Sequence, residues 1–348
     1  MNIEIINSQK FSNISDLIFA ETTSDFNFNE KNKDNNLEII QKRTVNDSVF
    51  ITYINNKFKI CSNDIIFCQT DFIEEFFISI EKYNKLENLT LITHQSDRSI
   101  NKKLFELKPK SIGKWYAINV NHIDKNLFPI PIGINNDYFV RDPIEKDFKE
   151  YDFKEFNLKE NKIYVNFNLN TKPFHRFTSK LSARNIKNTT LEKNNFDKKE
   201  YISRLNNFKF VLCPFGNGFD THRIWEAIYS NSIAITLNHK SLLSFQGLPI
   251  IYLDKFKDLK NIQNLINFKE FDLTKADFNY WNNIILKNKN EPSNKFSIEI
   301  NRAHRQKIFL KQRMKKIKRF QLYKRIRYFL FRAYKKIWSI FIRDVKDY

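Results

Sequence analysis

The chain alternates short apolar segments with segments of helical periodicity, and this alternation restricts the fold more than any other feature. Five segments are rich in β-branched or aromatic residues and predict strands: VFITYI (49–54), DIIFC (64–68), NLTLIT (88–93), WYAIN (115–119) and FPIPIGI (128–134). Helical spacing of apolar residues predicts a helix over DFIEEFFISIEKYNK, with Thr70-Asp71 as its N-cap. Residues 1–45 are polar and asparagine-rich, and they give no firm prediction.

A second series of the same kind follows a highly charged segment. Residues 141–162 lack a useful apolar face, which is typical of a connection between domains. Beyond them we predict strands over 162–169, 209–213, 232–237 and 248–254, and helices over 174–186, 197–207 and 220–230. Such alternation indicates parallel sheets. The sequence therefore predicts an α/β fold with two facing domains, 1–150 and 151–295, and a helical tail over 296–348.

Polar residues follow several of the predicted strands. They form three clusters: His94 to Asp97, Asn119 to Asn121, and Asn135-Asn136. Because the carboxyl ends of parallel strands lie at one edge of a sheet, these clusters can line one cleft. Ordinary surface loops are the alternative, and taken alone the pattern favours it.

Two glycines stand close together in a chain that contains only 5 among 348 residues. Gly216 and Gly218 lie in CPFGNGFDTHRIWEA, between a predicted strand and a predicted helix. Such a turn brings backbone N–H groups and a helix N-terminus to the sheet edge, and glycine lets the backbone approach a phosphate. The spacing matches neither GxGxxG nor a Walker loop, so the pattern alone is a weak signal. Asp220 or Thr221 is expected to cap the helix.

Arg223 and Glu226 are three residues apart and share one helix face. An arginine one turn into such a helix can bind a diphosphate through two nitrogens. A glutamate one turn further can accept hydrogen bonds from the two hydroxyls of a ribose. Together they describe one end of a nucleotide. The alternative is a surface salt bridge between them beside a core Trp225, and the spacing does not separate the two interpretations.

The segment FVLCPFGNGFDTHRIWEAIYSNSIAIT resembles the signature of exostosin-like glycosyltransferases and their bacterial and viral relatives. Upstream, LITHQSD, KWYAIN, FPIPIGINN and KIYVNFNLNTKPFHR occur in the order and spacing of those relatives. The resemblance covers roughly residues 88–255. Its C-terminal motif is the more specific part, and the upstream motifs support it as a set.

The resemblance implies a GT-B fold, in which two Rossmann-like domains face a cleft and the C-terminal one holds a nucleotide-sugar donor. By matching position, Arg223 faces the donor diphosphate and Glu226 the ribose. The remaining donor-binding residues that it implies are Lys172, Arg176, Gly216, Asn217, Gly218, Thr221 and His222. No metal ion is expected, since GT-B enzymes generally need none and the chain contains no Asp-x-Asp element.

The implied reaction is a displacement at the anomeric carbon, and the resemblance favours inversion there. A base removes the proton of the acceptor hydroxyl while Arg223 and the helix N-terminus stabilise the departing diphosphate. Asp97 is the expected base, with His94 as the other titratable residue of that loop. A salt bridge to Arg98 is an equal alternative for Asp97. His222 is equally well interpreted as a surface or capping histidine, whereas Cys213, Trp115 and Trp225 are expected in the core.

The C-terminal 48 residues carry most of the net charge of +20. Residues 301–348 contain 17 Lys and Arg against 2 Asp and Glu, whereas the first 300 contain 42 against 37. Apolar positions over 300–343 predict an amphipathic basic helix, broken at most once, whose aromatic residues suit an anionic membrane surface. The alternatives are a helix packed on the protein with a solvated basic face, and a nucleic-acid-binding tail.

Three cysteines without CxxC spacing, the absence of a leader pattern and the lack of an apolar run of about 18 residues predict a cytoplasmic protein, with possible attachment to the inner membrane face. The leading hypothesis is a glycosyltransferase that acts on a surface polysaccharide or lipid-linked saccharide. The second is a non-catalytic nucleotide- or glycan-binding protein of the same fold. The third, a nucleic-acid-binding protein, is disfavoured by the nearly neutral body.

Overall fold

The computed structural model describes residues 3–45, 48–136, 142–192, 196–262, 272–287, 296–302 and 304–341, and within them the chain has an α/β fold. The strands are β1 (Leu17–Ser24), β2 (Leu37–Val45), β3 (Ser48–Asn55), β4 (Lys57–Cys61), β5 (Ile65–Gln69), β6 (Leu89–His94), β7 (Ile112–Ala117), β8 (Leu127–Pro129), β9 (Glu160–Val165), β10 (Thr189–Leu191), β11 (Phe208–Leu212), β12 (Ile233–Leu237), β13 (Ile250–Leu253) and β14 (Ser297–Asn301). The helices are α1 (Ser8–Asn13), α2 (Asp25–Lys31), α3 (Ile73–Ile80), α4 (Lys102–Phe105), α5 (Glu145–Glu150), α6 (Pro173–Arg184), α7 (Lys198–Leu205), α8 (His222–Tyr229), α9 (Phe278–Leu286) and α10 (His304–Phe341).

The first sheet is mixed and has seven strands in the order β2-β3-β1-β5-β6-β7-β8. β1 and β5 to β8 run parallel in chain order, β3 is antiparallel to β1, and β2 is antiparallel to β3. β1 falls in the asparagine-rich region for which the sequence gives no firm prediction. Its apolar pattern is interrupted by Glu21. This residue can be buried in the strand because its carboxylate forms an ion pair with Lys31 at 2.7 Å and accepts a hydrogen bond from the Tyr53 hydroxyl at 3.0 Å.

The second sheet is entirely parallel and has five strands in the order β10-β9-β11-β12-β13. Within this unit the chain order of the strands is 2-1-3-4-5, so the winding direction reverses between β9 and β11. Ligands of open α/β sheets bind beyond the carboxyl ends of the strands at such a point. The loop after β9 and the glycine turn after β11 both lie there.

Most predicted elements are confirmed, with shorter bounds. The segment 128–134 forms only the three-residue β8, since Pro129 and Pro131 carry no N–H to donate to a sheet ladder. The expected cap by Thr70-Asp71 is wrong. A 3-10 turn over Thr70–Phe72 precedes α3, no side-chain cap bond is made, and the Thr70 hydroxyl donates to the His94 carbonyl instead.

The two sheets share one apolar core. A single cluster joins Phe67, Ile92 and Tyr116 of the first sheet to Val211 and Trp225 of the second unit. Within the described residues, a second cluster includes Leu91 and Trp115 of the first sheet, a third includes Val165 and Leu212 of the second sheet, and a small fourth comprises Phe28, Ile51 and Tyr53. Because one cluster is continuous across residue 150, the two units are held by the same burial of apolar surface that folds each of them.

The C-terminal segment returns to the first unit before the long helix begins. β14 pairs antiparallel with β4, from Ser297 opposite Cys61 to Asn301 opposite Lys57. α10 then runs unbroken for 38 residues and packs on α3 and α6. Phe331 is buried against Phe174 and Phe177, with ring centroids 5.2 and 5.7 Å away. One face of the helix is therefore packed on the protein.

Among the described residues, no helix is both long and apolar enough to cross a bilayer.

Candidate functional site

The two glycines of the turn after β11 make room for different groups. A Cβ on Gly216 would lie 3.1 Å from Nη2 of Arg176 and 3.6 Å from Cγ2 of Thr221. A Cβ on Gly218 would overlap the Asn119 side chain, with Nδ2 at 2.8 Å and Cγ at 2.9 Å. Gly216 therefore borders the Arg176 guanidinium, whereas the Cβ side of Gly218 is filled by Asn119 of the first unit. That the backbone of the turn faces a phosphate stays a prediction.

Positive charge is concentrated beside Gly216. Arg176 donates from Nε to the Phe215 carbonyl at 3.1 Å and from Nη1 to the Asn168 carbonyl at 2.8 Å. Burial, together with the nearby Arg223 guanidinium, lowers the pKa of Arg176 to about 10. The Arg223 guanidinium thus lies close enough to destabilise the charge of Arg176, and a bound anion would relieve this repulsion.

Lys172 adds a third cation from the loop after β9. It occupies the N-cap of α6 with a left-handed backbone, φ 40°, which costs a residue other than glycine ~1 kcal/mol. Burial lowers the pKa of Lys172, and the charges of Arg327 and Arg176 lower it further. Its Nζ lies 4.2 Å from the centre of the Phe219 ring. The ammonium is thus held at the turn, beside Arg176.

Three buried polar atoms near this turn make no hydrogen bond within the part of the chain that the structure describes: Thr171 Oγ1, Thr221 Oγ1 and His175 Nε2. Thr171 Oγ1 lies 4.0 Å from where a Cβ of Gly216 would be, and the Thr221 methyl lies on the same side. A buried polar group without a partner costs about 1–3 kcal/mol, and native structures contain few. Hydroxyls beside a cationic turn are suited to donate to an oxyanion.

Arg223 and Glu226 are joined through a third residue. The Tyr201 hydroxyl accepts a hydrogen bond from Nη1 of Arg223 at 2.7 Å and donates one to Oε2 of Glu226 at 2.6 Å. Burial raises the pKa of the Tyr201 hydroxyl. Burial alone would lower the pKa of Arg223, but the adjacent Tyr201 and Glu226 outweigh it and the net shift is upward.

This geometry differs from the surface salt bridge that the sequence left open, because Glu226 is buried and Tyr201 stands between the two charges. Sequence reasoning missed Tyr201. It lies on α7, in KKEYISRL, and nothing in that segment distinguishes it from an ordinary amphipathic tyrosine.

A cavity of about 1080 Å³ lies between the two units and is covered by α10. The predicted site residues in its lining are His94, Asp97, Lys172, Asn217 and His222. Among the described residues, Arg176, Arg223 and Glu226 are not part of this lining. Lys172 and Asn217 belong both to the lining and to the surroundings of the turn, so the cavity adjoins the cationic turn.

Two of the three polar clusters line this cavity, the one from His94 to Asp97 and the pair Asn135-Asn136. Asn119 has a different role. Its amide donates to the Ser96 carbonyl at 3.1 Å and accepts from the Phe219 N–H at 2.9 Å, so it joins the two units.

His94 is poorly placed to act as a base. Its Nδ1 accepts the Gln95 N–H at 2.9 Å, so Nε2 carries the proton and donates to the Pro131 carbonyl at 3.2 Å. Burial lowers the pKa of His94 to about 3. Both ring nitrogens are occupied by backbone groups, which gives this residue a structural role.

Asp97 remains accessible, with 47% of its side chain exposed, and Lys324 of α10 contacts Oδ2 at 2.8 Å. Arg98, the partner that the sequence allowed for Asp97, pairs with Glu74 at 2.9 Å. Across the cavity, His222 Nδ1 lies 2.7 Å from the Gly133 carbonyl, so this nitrogen carries a proton and donates it there.

The expected helix cap is wrong in detail. Thr221 occupies the N-cap of α8 without a side-chain cap bond. The buried Asp220 carboxylate accepts the Ile132 N–H at 2.7 Å and the Trp225 indole N–H at 2.9 Å. Burial raises the pKa of Asp220 to about 7. Asp220 therefore fastens the start of α8 to the first unit.

No protein-family model matches the chain, and a search of curated proteins finds no match either.

Proposed function

We propose that the chain is a glycosyltransferase that moves a sugar from a nucleoside-diphosphate sugar to a saccharide acceptor. The observation that carries the proposal is the convergence of Arg176, Arg223 and Lys172 on a glycine turn at the switch point of a parallel sheet. A diphosphate supplies two anionic charges and several acceptor oxygens. Three cations can bind them, together with two threonine hydroxyls that have no hydrogen-bond partner among the described residues.

The proposal places the donor on the second unit and the acceptor in the cavity, in a GT-B-like arrangement. Glu226, one turn beyond Arg223 on α8, is then positioned for the ribose hydroxyls, and Tyr201 holds both side chains in place. Neutral hydrogen-bonding side chains and aromatic rings line the cavity, among them Thr22, Gln95, Asn136, Phe50 and Phe320. This mixture suits the hydroxyls and apolar faces of a sugar.

In the proposed reaction, Asp97 accepts the proton of an acceptor hydroxyl. The hydroxyl oxygen forms a bond to the anomeric carbon while the bond from that carbon to the diphosphate breaks, and its electron pair leaves with the diphosphate. Arg176, Arg223 and Lys172 stabilise the growing charge on the leaving group. Attack opposite the leaving group inverts the anomeric configuration.

A thermal-shift screen of UDP, GDP, CDP, ADP and dTDP tests the donor site. A nucleotide that binds only the folded chain and is present at a concentration ~100 times its dissociation constant adds ~2.7 kcal/mol to the free energy of unfolding. We expect at least one to raise the melting temperature. Arg223→Ala and Arg223→Lys lose the effect, because neither retains a bidentate guanidinium. Arg184→Ala, at the exposed far end of α6, keeps it. No stabilisation by any of the five would refute the proposal.

A transfer assay separates an enzyme from a binding protein of the same fold. With the nucleotide sugar whose base gives the largest shift, wild-type protein is expected to release the nucleoside diphosphate in the presence of saccharide acceptors. Asp97→Asn is expected to reduce this release at least ~100-fold while nucleotide binding is unchanged. Binding without release of the diphosphate by the wild-type protein would favour the non-catalytic alternative.

A further inference from the structure

α10 has two faces with different surroundings. The inner face includes Arg313, Ile317 and Lys324, which line the cavity, and Phe331, which is buried on α6. Arg313 pairs with Glu74, and Lys324 with Asp97. Along α10, residues 313, 317, 324 and 331 lie 4, 7 and 7 positions apart, as expected for one side of a helix. The inner face is thus the one that contacts the rest of the protein.

The opposite face carries an exposed apolar stripe. Leu322, Ile326 and Phe329 recur at helical spacing on the side opposite Phe331, and Leu330 flanks them. Their exposed fractions are 56%, 49%, 70% and 58%. A continuous row of large apolar side chains on the solvent side of a helix is a mark of an interaction surface rather than of a solvated face.

A row of basic residues flanks this stripe. Lys318, Arg325 and Arg332 are seven residues apart, so they lie on one side of the helix, and all three are exposed. Residues 304–341 contain no Asp or Glu. The outer face therefore combines an apolar stripe with uncompensated positive charge.

We propose that the outer face of α10, defined by the apolar stripe and the basic row, binds the surface of an anionic lipid bilayer. An amphipathic helix on such a surface places its apolar side chains at the boundary of headgroups and acyl chains, while lysines and arginines contact anionic headgroups. Nucleic acid would neutralise the basic row but would leave the four apolar side chains in water. The bilayer accounts for both parts of the surface.

This placement has a consequence for the acceptor, which rests on the proposed function. Asp97 contacts the inner face of α10, and a helix with its side chains is about 10–12 Å thick. Asp97 then lies about one helix diameter from the lipid surface. The acceptor hydroxyl would be presented at that height, as in a saccharide attached to a membrane lipid.

Co-sedimentation of the full chain with vesicles tests the surface. We expect binding to vesicles of phosphatidylcholine mixed with phosphatidylglycerol, weak binding to phosphatidylcholine alone, and a decline with added NaCl. Phe329→Ser with Leu330→Ser, and separately Arg325→Gln with Arg332→Gln, are each expected to weaken binding ~10-fold or more.

Matched controls change equally exposed residues elsewhere. Phe26→Ser with Leu158→Ser removes apolar side chains that are 74% and 72% exposed, and Lys110→Gln with Lys187→Gln removes two exposed charges. Both controls are expected to retain vesicle binding within about twofold. The melting temperature of every variant shows that it is folded, and nucleotide stabilisation reports on the donor site separately.

Equal binding to neutral vesicles, or outer-face variants that bind as the controls do, would overturn the proposal. Tighter binding to duplex DNA than to anionic vesicles would overturn it in favour of nucleic acid. Failure of the donor-site screen would leave this proposal unaffected, since the vesicle assay needs no nucleotide.

Discussion

At the residue scale, Gly216 and Gly218 differ in what a methyl group would displace. Gly218→Ala forces a Cβ against the Asn119 amide, which two hydrogen bonds hold in place. We expect the free energy of unfolding to fall by about 2 kcal/mol, the usual cost of overpacking. Urea unfolding measures this loss. Gly113→Ala is the control, because its nearest neighbour would be 3.6 Å away, and it should cost nothing.

A second substitution tests whether the contact with Asn119 causes this loss of stability. Asn119→Gly removes the obstructing side chain and tolerates the local φ of 55°. If the contact is responsible, Gly218→Ala costs much less in the Asn119→Gly background, and the two changes are non-additive. Strict additivity would assign the loss to something other than this contact.

The Tyr201 hydroxyl is the residue-scale link between the two ends of the proposed nucleotide site. Tyr201→Phe deletes one oxygen and releases Arg223 to pair directly with Glu226. We expect nucleotide affinity to fall ~10-fold, because both side chains then point at each other, while losing one hydrogen bond costs stability only about 1 kcal/mol. Isothermal titration calorimetry measures the affinity. Unchanged affinity would exclude Tyr201 as a positioning residue, and Tyr151→Phe serves as the control.

Asp220 predicts a pH dependence of stability. Its pKa is about 7 in the folded chain, against an ordinary value of 3.8, because of burial. Between about pH 4 and 7 the folded state therefore binds more protons than the unfolded state. The free energy of unfolding falls as pH rises through this window, by up to ~1.4 kcal/mol per pH unit, and this contribution is constant above pH 7.

The measurement is chemical unfolding of wild type and Asp220→Asn at pH values from about 4 to 8. Subtracting the two curves removes the contributions of all other titrating groups. A difference that grows between pH 4 and 7 and then levels is the expected result. A flat difference would mean that Asp220 is ionised throughout in both states.

At the element scale, α10 is attached by one face. Phe331→Ala removes a buried ring that packs on α6 and should cost about 3 kcal/mol. Phe329→Ala, two residues away and 70% exposed, should change stability by less than ~0.5 kcal/mol. Amide hydrogen exchange along α10, together with global unfolding, distinguishes loss of docking from loss of the fold. Equal effects of the two substitutions would contradict this assignment of faces.

At the scale of the whole molecule, the shared core predicts cooperative unfolding. One apolar cluster contains residues of both sheets, so neither unit can separate without exposing it. We expect a single thermal transition whose calorimetric and van't Hoff enthalpies agree. A nucleotide that binds the second unit should shift that whole transition. Two resolved transitions, with only one shifted by the ligand, would show that the units fold independently.

The strength of each local signal explains how much of the fold was predictable. Buried parallel strands such as β5 and β6 are continuous apolar runs, and they were predicted. β1 and β14 were missed, because Glu21 and Glu299 interrupt their apolar pattern and are compensated by ion pairs from distant or cross-strand lysines. A prediction made from short stretches of sequence does not include such partners.

The candidate site was predictable only where its residues stand out within a short stretch of sequence. The glycine pair is marked in the sequence by its rarity and Arg223 by its spacing of three residues from Glu226, whereas Lys172 and Arg176 were expected only from the family resemblance. Tyr201 and Lys324 are not marked, since each lies on a helix whose local pattern serves packing or charge. The contact between Gly218 and Asn119 was not predictable for a related reason, because the two residues are 99 positions apart in the chain.

The sequence by itself determined the α/β class, four of the five strands of the second sheet, the turn after β11 and the basic amphipathic character of the C-terminal helix, because these follow from periodicity and composition within short windows. Only the tertiary structure decided that the two sheets share a core, that Tyr201 joins Arg223 to Glu226, and that α10 covers the cavity with one face while exposing the other. Those features depend on contacts between residues far apart in the chain, and the geometry of the packed core fixes them.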